Sequence, residues 1–174
     1  MCDVGRMGVD EGLKLMRELA AVVCHLHSKG VIHRDIKPQN ILLHEGRVRL
    51  ADLGFAIRSE GAIKEKYKIG SPLYMSPQAL LEKEYSKKND VWALGVTMFE
   101  MVEGRAPWSV KDEKELRHAF RNEIRFKHLQ HLQLQQLIRS CLSYDQNGRV
   151  TAEEVFVRIE EMMGIRSAIK WENK

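Results

Sequence analysis

Apolar residues recur at helical spacing over 13–29, where Leu15, Leu19, Val22, Val23 and Leu26 share a face and Gly30 follows as a C-terminal stop. This predicts one amphipathic helix. The period then changes. Val31-Ile32 is a short extended piece. Ile41-Leu42-Leu43, a tight turn at His44-Glu45-Gly46, and Val48 and Leu50 alternating with arginines predict a small β-hairpin. From Leu53 to Ser76 no period is sustained and Gly54, Gly61, Gly70 and Pro72 interrupt the chain. A long ordered loop is expected there, of a length that usually serves function. Over 90–103, with Asn89 as the expected cap, Val91, Trp92, Leu94, Val96, Met98, Phe99, Met101 and Val102 cover nearly every face. A helix that is apolar all round is buried in the middle of its domain. Gly104 ends it, and Pro107 forbids its continuation. Three amphipathic helices are predicted next, over 113–122, 129–142 and 152–163, the last with Thr151 as N-cap. The pattern is one mainly helical domain with a hairpin and a long loop on one side, without internal repeat or linker.

Composition narrows this picture without redirecting it. A chain of 174 residues suits one well-buried domain, and 44% apolar with 30% charged residues is an ordinary globular balance. The net charge of +4 is mild and spread out, so a nucleic-acid partner is not expected. The local run Lys64, Lys66, Lys68 reads as a solvated loop. Cys2, Cys24 and Cys141 are odd in number and far apart, which argues for neither a disulfide framework nor a zinc site and suits a reducing cytosol. Asp3 and Asp10 leave the N-terminus without the apolar core of a signal peptide. No uncharged apolar run approaches the roughly 20 residues of a membrane span. A soluble, cytoplasmic protein is expected.

Chemistry concentrates in His33-Arg34-Asp35-Ile36-Lys37-Pro38-Gln39-Asn40. A base, a cation and an amide at this spacing resemble the catalytic loop of eukaryotic-type protein kinases, H-R-D-x-x-x-x-N. Four further segments resemble that family in order and spacing. Asp52-Leu53-Gly54 stands where its D-F-G belongs, and Gly70 to Gln78 is similar to its G-T-P-x-Y-M-A-P-E. Asp90-Val91-Trp92-Ala93-Leu94-Gly95 is similar to the start of its buried central helix, and Asp145 to Arg149 to its late D-P-x-x-R segment. The resemblance covers nearly the whole chain. It implies the C-terminal lobe of the α+β kinase-like fold: mainly α, with the hairpin carrying the catalytic and metal-binding loops. It also implies a domain over 1–165, a catalytic loop over 33–40, an activation segment over 52–78 and a tail over 166–174.

The resemblance further implies roles. Phosphoryl transfer asks a protein mainly to position groups and neutralise charge. Asp35 is expected to accept the proton of the substrate hydroxyl, and Lys37 to balance charge on the transferred group in the manner of serine/threonine kinases. Asn40 and Asp52 are expected to hold Mg2+, which prefers oxygen ligands. Leu42 is expected to floor the adenine pocket of ATP. Ser71 matches the hydroxyl residue that bonds the catalytic Asp and Lys. His33 and Leu53 match two members of a hydrophobic stack between lobes, anchored by Asp90, with Gly54 completing the metal-binding motif. The implied partners are ATP and a protein substrate presenting a Ser or Thr hydroxyl. A non-catalytic binding or scaffold module descended from a kinase is the alternative reading.

The chain also departs from the pattern. Leu53 replaces the usual Phe. Gln78 replaces a Glu that pairs with the Arg matching Arg149, and cannot neutralise the guanidinium, so a less stable activation segment is expected. Arg34 implies a pocket for a phosphate on the loop, yet between Leu53 and Gly70 the only hydroxyl side chains are Ser59 and Tyr67. Control by threonine phosphorylation is therefore not expected. Neither a Gly-rich loop nor a V-A-I-K lysine precedes the first helix. An N-terminal lobe is therefore not expected within these 174 residues, little activity is expected of them alone, and a partner is expected over the face that lobe covers.

Overall fold

The computed structural model describes residues 6–165. The expected tail over 166–174 lies outside the described residues, as does Cys2. Helix α1 (Val9–Ser28) opens the described chain, with Asp10 and Glu11 in its first turn, where negative charge suits the helix dipole. Its buried face is Leu13, Met16, Leu19, Ala20, Val23 and Cys24. The helix starts four residues before the apolar period does, because its first turn is polar and carries no period. Strand β1 (Val31–Ile32) follows and pairs antiparallel with β4 (Ile57–Arg58).

The hairpin is β2 (Ile41–His44) and β3 (Arg47–Leu50), in register Ile41 with Leu50 and His44 with Arg47. Glu45 and Gly46 turn it with φ of 52° and 72°, the two positive values that a tight two-residue hairpin turn requires. The long loop is threaded by short pieces that period counting does not detect. A single 3-10 turn spans Leu53–Phe55, β5 (Ile63–Lys64) pairs with β6 (Glu84–Tyr85), and a wide π turn spans Gln78–Glu82. Each is five residues or fewer, too short to show a repeat.

Helix α2 (Lys87–Glu103) is the buried axis of the molecule: from Asn89 through Val102 only Glu100 escapes full burial. Its start corrects the expected one. The N-cap is Ser86, three residues before Asn89, and Asn89 acts from inside the first turn. Its Oδ1 accepts the Ser86 backbone N–H, and its Nδ2 reaches Ser76 Oγ at 2.6 Å and Glu84 O at 3.1 Å. Asn89 therefore both closes the helix end and ties it to two preceding segments. Trp92 stacks on Trp108 at 5.5 Å and meets the edge of Phe120 at 5.3 Å. Three shorter helices follow, α3 (Glu113–Ala119), α4 (Leu132–Cys141) and α5 (Ala152–Met162), each shorter than its apolar pattern predicted. Thr151 caps α5 as expected, its Oγ1 accepting from Glu154 N while Glu154 Oε2 accepts from Thr151 N at 2.6 Å.

One core joins α1, α2, α4 and α5 and reaches Val48 of the hairpin. Where α2 crosses α4, Gly95 permits the approach: a Cβ there would lie 2.6 Å from Cys141 Cβ. Cys24 and Cys141 are free and buried, and burial pushes both thiols up to about 12. No helix among the described residues is long and apolar enough to cross a membrane.

Candidate active site

The residues expected to form a catalytic loop, 33–40, lie between β1 and β2, held from beneath by α2. Asp90, 1% exposed, accepts the backbone N–H of His33 at 2.8 Å and of Arg34 at 2.9 Å, and a ring nitrogen of His27 at 2.9 Å. A buried carboxylate must be satisfied in this way, and the result is that the central helix positions the loop. His33 is fully buried, with Nε2 at 3.2 Å from Ala51 O. Arg34 carries φ 71°, a left-handed conformation that a residue with a Cβ adopts only where its surroundings impose it. That twist separates the directions in which Arg34 and Asp35 leave the backbone.

Asp35 is the centre of a compact network. One oxygen accepts from Lys37 Nζ at 2.7 Å and Asn40 Nδ2 at 3.1 Å, and the other accepts from Ser71 N at 2.9 Å. Lys37 Nζ also donates to Ser71 Oγ at 2.8 Å. Burial alone would raise the Asp35 pKa. Hydrogen bonds from Lys37 and Ser71, with the Lys37 charge, outweigh it and hold the carboxyl below the usual range. The group is therefore an ionised, oriented acceptor at neutral pH. Gly70 lets the loop come this close: its φ is 105°, and a Cβ there would sit 2.4 Å from Arg34 O.

Asn40 spends its amide nitrogen on Asp35, donating to Asp35 O at 2.8 Å as well as to the carboxylate. Its Oδ1 has no protein partner among the described residues. The hairpin brings the chain back to it, Ala51 N donating to Asn40 O at 2.8 Å, so Asp52 begins one residue from that contact. Asp52 is left-handed (φ 61°) and exposed, with Oδ1 accepting from Gly54 N at 3.2 Å. An amide oxygen just before β2 and an exposed carboxylate just after β3 form a donor set that fits a hard divalent cation.

The remaining expected residues divide. Leu42 and Leu53 stand 52% and 56% exposed, beside Leu43 at 64% and Phe55 at 42%. The stack expected for His33 and Leu53 is thus open on the Leu53 side: His33 is sealed and Leu53 faces outward. Gln78 does meet Arg149, Nη2 donating to Gln78 Oε1 at 2.9 Å. Arg149 is not left dependent on it, which corrects the expected weakness. Ser143 O accepts from Arg149 Nε and Nη2, Lys88 O accepts from Nη1 at 2.9 Å, and the guanidinium carbon lies 5.0 Å from the Trp92 ring centre. Burial pulls the Arg149 pKa down to about 10. Gln78 also donates from Nε2 to Tyr144 O at 2.9 Å, a bond that a Glu could not make.

Two functional placements were not legible in the sequence. Glu65 in the long loop bonds Arg34, and Tyr85 braces the same loop through Ile69, whose N–H donates to the Tyr85 hydroxyl at 2.6 Å. Both contacts span 16 residues or more and carry no local pattern.

Comparison with known proteins shows the family. The family model described as "Protein kinase domain" matches residues 4–158. The serine/threonine-protein kinase pakA of Talaromyces marneffei is 38% identical over 133 residues, covering 65% of this chain and 20% of that protein. The serine/threonine-protein kinase STE20 of Eremothecium gossypii is 37% identical over 147 residues, covering 80% of this chain and 15% of that protein. The rhodopsin kinase grk7-b of Danio rerio is 35% identical over 133 residues, covering 72% of this chain and 24% of that protein. The chain thus spans a quarter or less of the length of these relatives. A single family match runs through the catalytic loop, the Asp52 motif, the long loop, the central helix and Arg149, and with mainly helical architecture around them the chain belongs to the protein kinase domain family.

Proposed function

We propose that this chain is the C-terminal lobe of a protein serine/threonine kinase, transferring the γ-phosphoryl group of ATP to a Ser or Thr hydroxyl of a protein substrate inside the cell. The observation that carries this reading is the Asp35 network, in which Lys37 Nζ lies 2.7 Å from Asp35 and 2.8 Å from Ser71 Oγ. Asp35, ionised and fixed on three sides, accepts the proton of an incoming hydroxyl and aims its oxygen. Lys37 offers positive charge where the transferred group passes, and Ser71 sets the distance between the two. Asn40 Oδ1 and the Asp52 carboxylate would hold magnesium, and Leu42 would supply apolar surface to the adenine of ATP. Bound ATP and magnesium supply the phosphoryl group and the neutralisation of its charge.

In an active kinase that contains this chain, Asp35→Asn should lower the rate of phosphate incorporation into a generic serine/threonine substrate by about 10²–10⁴-fold. Asp35→Asn should leave the melting temperature within a few degrees. An unchanged rate would sink the assignment. The scaffold reading has one observation in its favour: Leu42, Leu43, Leu53 and Phe55 are large apolar side chains left exposed. A chain that binds a partner through these side chains but gains no thermal stability from ATP with magnesium would establish it.

A further inference from the structure

We propose that Glu65 is a resident carboxylate filling the anion position at Arg34, so that the activation segment is held against the catalytic loop without a phosphate on it. The proposal rests on the kinase reading for its consequence, and on geometry alone for its substance. Arg34 has a side chain only 6% exposed, and a sequestered guanidinium must be paired or it destabilises the fold. Its Nη1 donates to Glu65 Oε1 at 2.6 Å, its Nε donates to the Phe55 carbonyl, and its carbon lies 5.5 Å from the Tyr85 ring centre. Among the described residues no other carboxylate bonds that guanidinium.

Glu65 is well placed to transmit the grip. Its N–H donates to Lys83 O at 3.0 Å, immediately after β5 pairs with β6. Four residues later Ile69 donates its N–H to the Tyr85 hydroxyl, which donates back to Ile69 O at 3.1 Å. Gly70 and Ser71 come next and close on Asp35. The loop is therefore clamped at 63–65 and at 69–71, with Arg34 linking the first clamp to the residue beside Asp35. A phosphate would bring up to two charges and three acceptor oxygens to such a position; the carboxylate brings one charge and two oxygens, permanently. Between Leu53 and Gly70 the hydroxyl side chains are Ser59 and Tyr67. Ser59 is engaged locally with Gly61, and Tyr67 is 67% exposed, its ring 5.3 Å from Lys66 Nζ. Neither meets Arg34. Glu65 is a positioning residue.

The test uses the 174-residue chain and requires no activity, so its outcome is separable from that of the kinase assignment. Glu65→Ala and the isosteric Glu65→Gln should lower the melting temperature. Tryptic cleavage at Lys64, Lys66 and Lys68 should become roughly tenfold faster as the loop opens. Inorganic phosphate, titrated at constant ionic strength, should then restore protection saturably in both variants. It should do nothing for the unaltered chain or for Arg34→Ala/Glu65→Ala. An ordinary surface ion pair would give destabilisation without phosphate rescue. That result, or cleavage unchanged in both single variants, would overturn the proposal.

Discussion

Arg149 and Gln78 show how a substitution that looks costly in the sequence is absorbed. The guanidinium keeps its charge in a buried site because carbonyls of Lys88 and Ser143 and the face of Trp92 surround it, with Gln78 supplying one acceptor among several. Gln78→Met should therefore cost about 1–3 kcal/mol, since it leaves Tyr144 O with only the long 3.5 Å bond from Arg149 Nη2 and removes one Arg149 acceptor. Gln78→Glu should change stability by less than about 1 kcal/mol, because the gain at Arg149 is offset by a carboxylate oxygen facing Tyr144 O. Urea denaturation of the two variants measures both; a large gain for Gln78→Glu would mean that charge neutralisation dominates. His33 and Asp35 were legible as residues because their spacing is local, and Asp90 because it opens a motif of its own. Their mutual support was not, since it runs through backbone N–H groups that any residue type supplies.

At the scale of elements, α2 depends on its two ends and on one missing side chain. Asn89 makes contacts with Ser86, Ser76 and Glu84, so Asn89→Ala should cost about 2–3 kcal/mol, more than a simple N-cap. Thr151→Ala, which removes a capping box open to solvent, should cost only about 0.5–2 kcal/mol. If thermal melts rank the two the other way, Asn89 is a local cap and not a tie between segments. Gly95→Ala should destabilise despite better helix propensity, by about 1–3 kcal/mol, because the new Cβ overlaps Cys141. The order of elements followed from periodicity alone. Val31-Ile32 reads as extended, but the short strands β4, β5 and β6 do not, because two residues per strand cannot express an alternation.

Across the whole molecule, stability should fall in acid for an assignable reason. Burial would raise the Glu103 pKa, but N–H bonds from Leu129, Lys127 and His128, with Arg105 nearby, lower it; Asp35 is lowered as well. A carboxyl with a depressed folded pKa contributes its full stabilisation above the ordinary carboxylate range. That contribution is lost as pH falls through the folded value. The melting temperature should accordingly drop below about pH 4 and be flat above about pH 5. Glu103→Gln should show a shallower drop. Native thiol labelling should leave Cys24 and Cys141 unmodified until unfolding, since both are buried with thiols pushed up to about 12. Rapid modification at neutral pH would mean that the α2–α4 contact opens.

The amino-acid sequence by itself determined that Asp35, Lys37, Asn40 and Asp52 would be gathered in one region, because they stand at spacings set by one loop and one hairpin. It also determined the buried axis, because apolar residues on every face of α2 leave no other place for it. Only the tertiary structure decided what holds Arg34, Arg149 and Asp90. Those groups are satisfied across separations of 31, 71 and 57 residues, by Glu65, by Gln78 with a set of carbonyls, and by the His33 backbone. Pairing of a buried charge is settled by which groups the packed chain brings within about 3 Å, and no local pattern encodes that distance.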